Sequence, residues 1–388
     1  MARRTRLLVF LVSTPLVALV TIGGFIGVPK AAASQEAVAH LRVFNDVVSL
    51  IVNAYVENVE VDKVLDGAMR GLADGLDTSS AFLQPDEVKA IDSTAPLPAG
   101  ETGLVITRQY YLRVLGVRDG SPAARAGLQP GDFVRMIDGK PTRDMSSITG
   151  RRLLRGAPGS KVSLTIIRGN VSDPHVIDLV REAPTGAAVT STMVGGVARV
   201  RVSTFDSTVP GALSAAFDKL AKSNVAGAVI DLRGVADGNP EDGIKAARLF
   251  VKSGTLSVRA GRAGTPVKVL AGAGDGAITM PVVLLVSAGT SNAAEVFAAA
   301  LSGNKRADLV GEPTAGIAGV QKLVRLPQGY GLWMTYERYM AVDGTTPIHE
   351  HGLVPAVAFA IPVTGFDEIP PTTDVPLDKA IEHLKSKR

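Results

Sequence analysis

From Glu36 onward, apolar residues recur at spacings of three and four: Val38, Leu41, Phe44, Val48, Ile51 and Tyr55. That period predicts an amphipathic helix with one face to bury. A second helix of the same kind is predicted near Asp62–Leu76. The run Leu76-Asp77-Thr78-Ser79-Ser80-Ala81-Phe82-Leu83 is a polar turn between apolar anchors, and Pro96, Pro98 and Gly100 mark a linker. Beyond Gly103 the pattern shortens. Leu104–Thr107, Tyr111–Val117, Phe133–Ile137, Val162–Ile167 and Val176–Val180 read as strands. Between them, Ser121-Pro122 ahead of Gly127 has the capping asymmetry of a short helix, and a longer helix is predicted near Met145–Leu154. From about Val189 strands and helices alternate: Gly196–Val202, Leu213–Leu220, Val225–Leu232, Val282–Val286 and Ala293–Leu301. Alternation of this kind argues for an α/β layer.

The N-terminus follows a different rule. The 22 residues from Leu7 to Val28 carry no charge and follow Arg3, Arg4 and Arg6. As a helix they would reach about 33 Å, enough for a hydrocarbon core of roughly 30 Å. The arginines orient such a span with the rest of the chain exported. It is longer than the roughly 7–15 residues of a secretory core, which favours a retained anchor. Ala31 and Ala33 make cleavage before Ser34 the alternative. The expected location is the cell envelope on the exported side, periplasmic in a bacterium. The expected boundaries are 1–33 (signal or anchor), 34–95 (N-terminal helices), 96–183, 184–365 and 366–388 (a C-terminal tail).

Composition narrows the chemistry. The 388 residues include no cysteine, which removes disulfide, iron–sulfur and thiol-nucleophile chemistry. Lys and Arg number 41 against 37 Asp and Glu, with much of the excess at the two ends. No basic stripe lies within a domain, so no nucleic-acid partner is expected.

Ser121–Thr142 (SPAARAGLQPGDFVRMIDGKPT) and Leu154–Arg168 (LRGAPGSKVSLTIIR) resemble a PDZ domain. The order of motifs over about 350 residues resembles the carboxyl-terminal processing (tail-specific) serine protease family. Its Leu-Asp-Pro-His-Ser-Ser turn appears as Leu76–Ser80, with Thr78 in place of Pro-His. Its Asp-Leu-Arg strand end appears as Asp231-Leu232-Arg233, and its Ile-x-Gly-x-Gly-x-x-Pro stretch as Ile348–Pro355, with Glu350 for the first glycine. The resemblance implies an α/β multidomain fold: N-terminal helices, a PDZ β-barrel-like module over 96–183 and a mixed α/β protease core over 184–365. It also implies peptide binding by strand addition, with a terminal carboxylate held at Gly103-Leu104-Val105-Ile106. Glycine is usual in the family at the position of Val105, and Val is a poor choice where φ must be positive.

The family cuts peptide bonds with a serine nucleophile and a lysine base oriented by a glutamine. Three residues before the matching Glu295, the nucleophile position holds Asn292. Twenty-five residues later the lysine position holds Ile317, and four further on the glutamine is present as Gln321. A carboxamide is no nucleophile for acyl transfer, and an isoleucine accepts no proton. The oxyanion stretch corresponds to Gly234–Gly238, where Asp237 would bring a carboxylate toward developing negative charge. Asn292 is also a preferred N-cap, with Glu295 completing a capping box. Ser291 is expected to point away on its tight turn, Lys322 to face the opposite side of a strand, and Lys305 to lie beyond reach. His349 and His351 could share a face, but no HExxH is present and no metal or cofactor is expected. Asp231 and Arg233 read as a structural pair.

Two functions follow. One is a catalytically degenerate, membrane-anchored or exported protease homologue that binds peptide or protein C-termini, an active protease or another envelope protein. The other is an active serine endopeptidase, cutting exported proteins near their C-termini with a relocated dyad.

Overall fold

The computed structural model describes residues 35–388 apart from 170–172, 224, 367, 369–371 and 388. The uncharged stretch 7–28 and the boundary at 33 lie outside the described residues. Among the described residues no helix is long and apolar enough to cross a membrane.

Two compact units divide at Ala68 and Met69. The first contains α1 (Gln35–Ala54) and the start of α2 (Val61–Asp74). No residue of α1 from Val38 onward is buried, and Leu41 and Tyr55 stay above 60% exposed, so among the described residues nothing buries the predicted apolar stripe.

In the second unit, β1 (Ala81–Leu83) and α3 (Pro85–Asp92) precede a module of β2 (Leu104–Gln109), β3 (Tyr111–Val117), α4 (Pro122–Arg125), β4 (Phe133–Ile137), β5 (Lys140–Pro141), α5 (Ser147–Leu153), β6 (Lys161–Ile167) and β7 (His175–Val180). Its sheet runs β2-β3-β4-β6-β7, all antiparallel, with β5 beside β4. Alternate residues Val162, Leu164 and Ile166 point inward with Leu112, Val134 and Ile137, as a half-buried strand requires. Ser121 caps α4, its Oγ accepting from the Ala124 N–H at 3.2 Å. Only β3 pairs with β2, which leaves β2 an edge strand.

The core follows: β8 (Val189–Val194), β9 (Val197–Val202), α6 (Val209–Ala221), β10 (Ala228–Asp231), α7 (Pro240–Arg248), β11 (Thr255–Gly261), β12 (Val267–Leu270), β13 (Val282–Val286), α8 (Ala293–Gly303), β14 (Ala307–Gly311), β15 (Gly319–Arg325), β16 (Gly331–Met340), β17 (Val357–Ala358) and α9 (Val375–Ser386). One sheet has the order β17-β14-β13-β10-β9-β8, parallel except for β8. Its central strands β10 and β13 are buried along their whole length, as a sheet covered on both sides demands. Helices α6, α7 and α8 share the core on one face. Leu377, Ala380, Ile381 and Leu384 of α9 cover the other. The expected C-terminal tail is therefore part of the core, because the 3.6-residue stripe of α9 gives the exposed sheet face its lid. A second, antiparallel sheet joins β11, β12, β15 and β16, and β1 adds to β16 through Ala81–Trp333 and Leu83–Gly331 pairing. The segment expected to be helical over 34–95 thus gives a strand to the core.

Asp231 ends β10 fully buried. Arg199 and Arg233 each place a guanidinium nitrogen 2.7 Å from its Oδ2, and Arg233 continues to Asp374 at the start of α9 (2.8 and 2.7 Å). Burial alone would raise the Asp231 pKa, but Arg233, Arg201 and Arg199 outweigh it and hold the carboxyl well below the usual range. A depressed carboxyl stabilises the fold above its unfolded pKa of about 3.9, and that contribution is lost as pH falls below this value. Asp231→Asn is expected to destabilise by about 3 kcal/mol at neutral pH, read as a lower denaturant midpoint. The loss should shrink in acid.

The module meets the core backbone to backbone. A Cβ at Gly116 would lie 2.2 Å from the Gly234 carbonyl oxygen, and one at Gly289 would lie 2.2 Å from that of Leu115. Two reciprocal ion pairs join the same surfaces: Arg118 to Asp237 (2.8 Å) and Asp119 to Arg201 (2.8 and 3.1 Å). The chain after β17 adds a strap. Arg168 donates to the Thr364 carbonyl at 3.0 Å and stacks on the Phe366 ring, 3.8 Å from its centroid.

Candidate functional site

The turn between β13 and α8 carries Asn292 at the helix N-cap, with φ 53° and ψ −119°. Non-glycine residues seldom adopt a positive φ, and such strain persists only where neighbours enforce it. Here the enforcement is visible. The Asn292 N–H donates to the Ile317 carbonyl (3.0 Å) and to Glu295 Oε2 (3.1 Å), the latter being the Glu295 half of the expected capping box. The Asn292 carboxamide Nδ2 donates to the Gly238 carbonyl at 2.9 Å.

Glu295 is fully buried and acts as the hub of two loops. Its Oε1 accepts from Thr314 Oγ1 (2.5 Å) and the Gly316 N–H (2.6 Å), and its Oε2 also accepts from the Ile317 N–H (2.9 Å). Burial drives its pKa upward against these four donors, to about 7.

Asn292, Ile317 and Gln321 line one cavity of about 100 Å³, together with Ser291, Ala236, Trp333 and, from the module, Val105, Ile106, Thr107, Leu115, Ser147 and Arg151. The three residues chosen from sequence are therefore neighbours. Its lining includes no Lys, His, Asp or Glu. Lys322 is exposed over the Tyr336 ring, 5.2 Å from its centroid, and Lys305 is exposed past the end of α8.

Several expectations change at this point. Ser291 is among the residues around the cavity, 1% exposed, but its Oγ is buried and among the described residues has no hydrogen-bond partner. Asp237 does not line it, because its carboxylate is taken by Arg118 and by the Gly238 N–H (3.0 Å). Of the two oxyanion-region glycines, Gly234 gives its N–H to Ser287 Oγ (3.1 Å), and Gly238 faces Asn292 through its carbonyl. Gly103 takes φ 82°, whereas Val105 needs no positive φ: it lies in β2 opposite Gly116, with a bulge before Ile106. Val105 and Ile106 reach the cavity, and Gly103 and Leu104 do not line it.

Known proteins can now be compared. A carboxyl-terminal-processing protease of Synechocystis is 32% identical over 311 residues, covering 78% of this chain and 72% of that protein. The chain belongs to the carboxyl-terminal-processing protease family. Residues 196–359 match the model of peptidase family S41, and residues 113–168 match the PDZ domain. The carboxy-terminal processing protease CtpA of Bacillus subtilis is 27% identical over 310 residues, 79% of this chain and 66% of that protein. The solved photosystem II D1 C-terminal processing protease superposes with a TM-score of 0.67 at 28% identity, over 85% of this chain and 95% of that one. The mixed α/β architecture with a PDZ module and a protease-like core is thus the family's, and it fits a protein that receives peptide or protein C-termini.

One feature of this family member escaped the sequence reading. Asp77 accepts from the N–H groups of Ser79 (2.8 Å) and Ser80 (2.7 Å), and its Oδ2 lies 3.4 Å from Nε2 of the buried His349. A Cβ added at Gly319 would lie 3.0 Å from both Gln321 Nε2 and His349 Cε1, so this pair stands just behind Gln321. Residues 272 positions apart leave no spacing signal. His349 and His351 sit on a turn rather than one extended face, with Glu350 between them at φ 67°, where the family has glycine. Among the described residues no group of three His, Cys, Asp or Glu could hold a metal ion.

Proposed function

We propose that this chain is a catalytically degenerate member of its family that binds the C-terminal ends of peptides or proteins. The observation that carries the reading is the chemistry of the cavity lining: Asn292 and Ile317 occupy it, and among the described residues no Lys, His, Asp or Glu lines it. Ser291 is adjacent, but its Oγ is buried, and a serine without a base in reach is a weak nucleophile. The unpaired edge of β2 beside α5 supports binding by strand addition. Residues 7–28 anchor the protein with the PDZ module on the exported side of the cell envelope, a reading supported by the arginine cluster ahead of them.

The decisive assay incubates the purified protein with an unfolded protein substrate and with a serine-directed covalent probe. No cleavage and no labelled serine are expected, while peptides with a free C-terminus bind at micromolar or weaker affinity and amidated ones do not. Cleavage, or a label on Ser291, would make the protein an active peptidase instead. Equal binding of amidated peptides would remove the terminal carboxylate from recognition. A mature N-terminus at or near Ser34 would remove the anchor.

A further inference from the structure

The PDZ groove of this chain carries one charge. Ser147 and Arg151 stand one turn apart on α5, both face the cavity, and the opposite wall is formed by Val105, Ile106 and Thr107 of the β2 edge. Among the described residues, Arg151 is the one charged residue of the lining. Among the described residues it forms no ion pair, and its one hydrogen bond is a long intrahelical contact from Nε to the Ser147 carbonyl at 3.4 Å. Neighbouring charges do not satisfy it. Asp237 is already held by Arg118 at 2.8 Å, and Arg155 has the same sign and is paired with Glu101 at 3.2 Å.

A guanidinium offers five donors in a planar fork suited to a carboxylate. Ile106, Leu115 and Trp333 line the same cavity, so a carboxylate that enters it has this guanidinium as its charged partner. We propose that Arg151 makes this groove selective for peptides with an Asp or Glu side chain close to their C-terminus. This rests on the reading of the groove as a peptide site. The terminal carboxylate itself is assigned to backbone N–H groups at the start of β2, so the two carboxylates use different donors.

The test titrates the intact protein with matched eight-residue peptides carrying Glu or Gln at each of the last four positions, each with a free or amidated terminus. At one position at least, Glu should bind about five- to tenfold more tightly than Gln, and added salt should narrow the gap. Arg151→Gln should erase that preference while leaving the Gln peptides within about twofold, and Arg151→Glu should turn the preference toward Lys. Circular dichroism of both variants should match the parent, since Arg151 is exposed on its helix. Equal affinity for Glu and Gln peptides, or a preference that survives Arg151→Gln, would overturn the proposal and leave peptide binding intact. If Arg151→Gln instead abolishes discrimination against amidated termini, the guanidinium holds the terminal carboxylate and the proposal falls. Absence of binding by every peptide would sink the groove reading and this one together.

Discussion

Asn292→Ser combined with Ile317→Lys is expected to produce slow peptide-bond cleavage where the parent has none. The two positions share a cavity and are joined by the 3.0 Å bond from the Asn292 N–H to the Ile317 carbonyl, so the new hydroxyl and amine would be neighbours beside Gln321. General-base catalysis contributes roughly 10²–10⁴-fold, so the double variant should exceed either single one by about 100-fold or more. Asn292→Ser alone leaves a hydroxyl without a base. Ile317→Lys alone puts an amine into a small cavity that already holds Arg151 and no carboxylate, where its charged form loses solvation and gains no partner, and should destabilise the fold. Adding Asp237→Gly should change the rate little, because that carboxylate is already neutralised by Arg118 outside the cavity. Cleavage of an unfolded substrate, followed by mass spectrometry, reads all four variants. Hydrolysis by the parent that Asn292→Ala leaves unchanged would place the reacting serine elsewhere.

Glu295→Ala should be the most damaging single substitution near the site, at about 5 kcal/mol or more. It strands four donors, the buried Thr314 hydroxyl and Gly316 N–H and the partly buried N–H groups of Ile317 and Asn292. Each orphaned donor costs roughly 1–3 kcal/mol. The strained backbone of Asn292 would lose one of its two restraining acceptors. Glu295→Gln isolates the charge from the shape. A carboxyl raised to about 7 stabilises the fold most below its unfolded value, and that contribution is lost as pH rises through 7. The parent should therefore lose about 3 kcal/mol from this group between roughly pH 4.5 and 7. Chemical denaturation of Glu295→Gln across that window should show the slope removed; an unchanged slope would exonerate Glu295.

Much of the architecture was legible because local signals agreed with the final packing. Val282–Val286 is apolar at every position and became a strand buried on both faces, and Ser121-Pro122 set the start of α4 as its spacing implied. The antiparallel sheet of β11, β12, β15 and β16 left weaker traces. Strands such as Gly319–Arg325 carry polar side chains on an open face and contain no long apolar run. Register across 81–83 and 331–333 depends on contacts some 250 residues apart, which no local period records. The amphipathic pattern of α1 was read correctly as a pattern, yet a stripe reports only that a face is apolar, not what covers it. At the site, Asn292, Ile317 and Gln321 were placed by the resemblance to the family's motifs, while Arg151, Ser291 and the Asp77–His349 pair required the fold. Asp237 shows the converse: a residue at the right position whose side chain was diverted by Arg118, a partner 119 positions away in sequence.

The tight seam between the PDZ module and the core has a thermodynamic consequence. A cavity of about 100 Å³ is well below the roughly 300–1,000 Å³ of ordinary ligand sites, so a peptide can lie along β2 only after that wall separates from Ala236 and Trp333. The apparent dissociation constant is then the intrinsic one divided by the fraction of molecules in the separated form. Contacts that never touch a ligand, such as the Asp119–Arg201 pair and the Phe366 stack on Arg168, help to set that fraction. Affinity for peptide is in this sense a property of the seam as much as of the groove, and weakening the seam would strengthen binding by a common factor for every sequence.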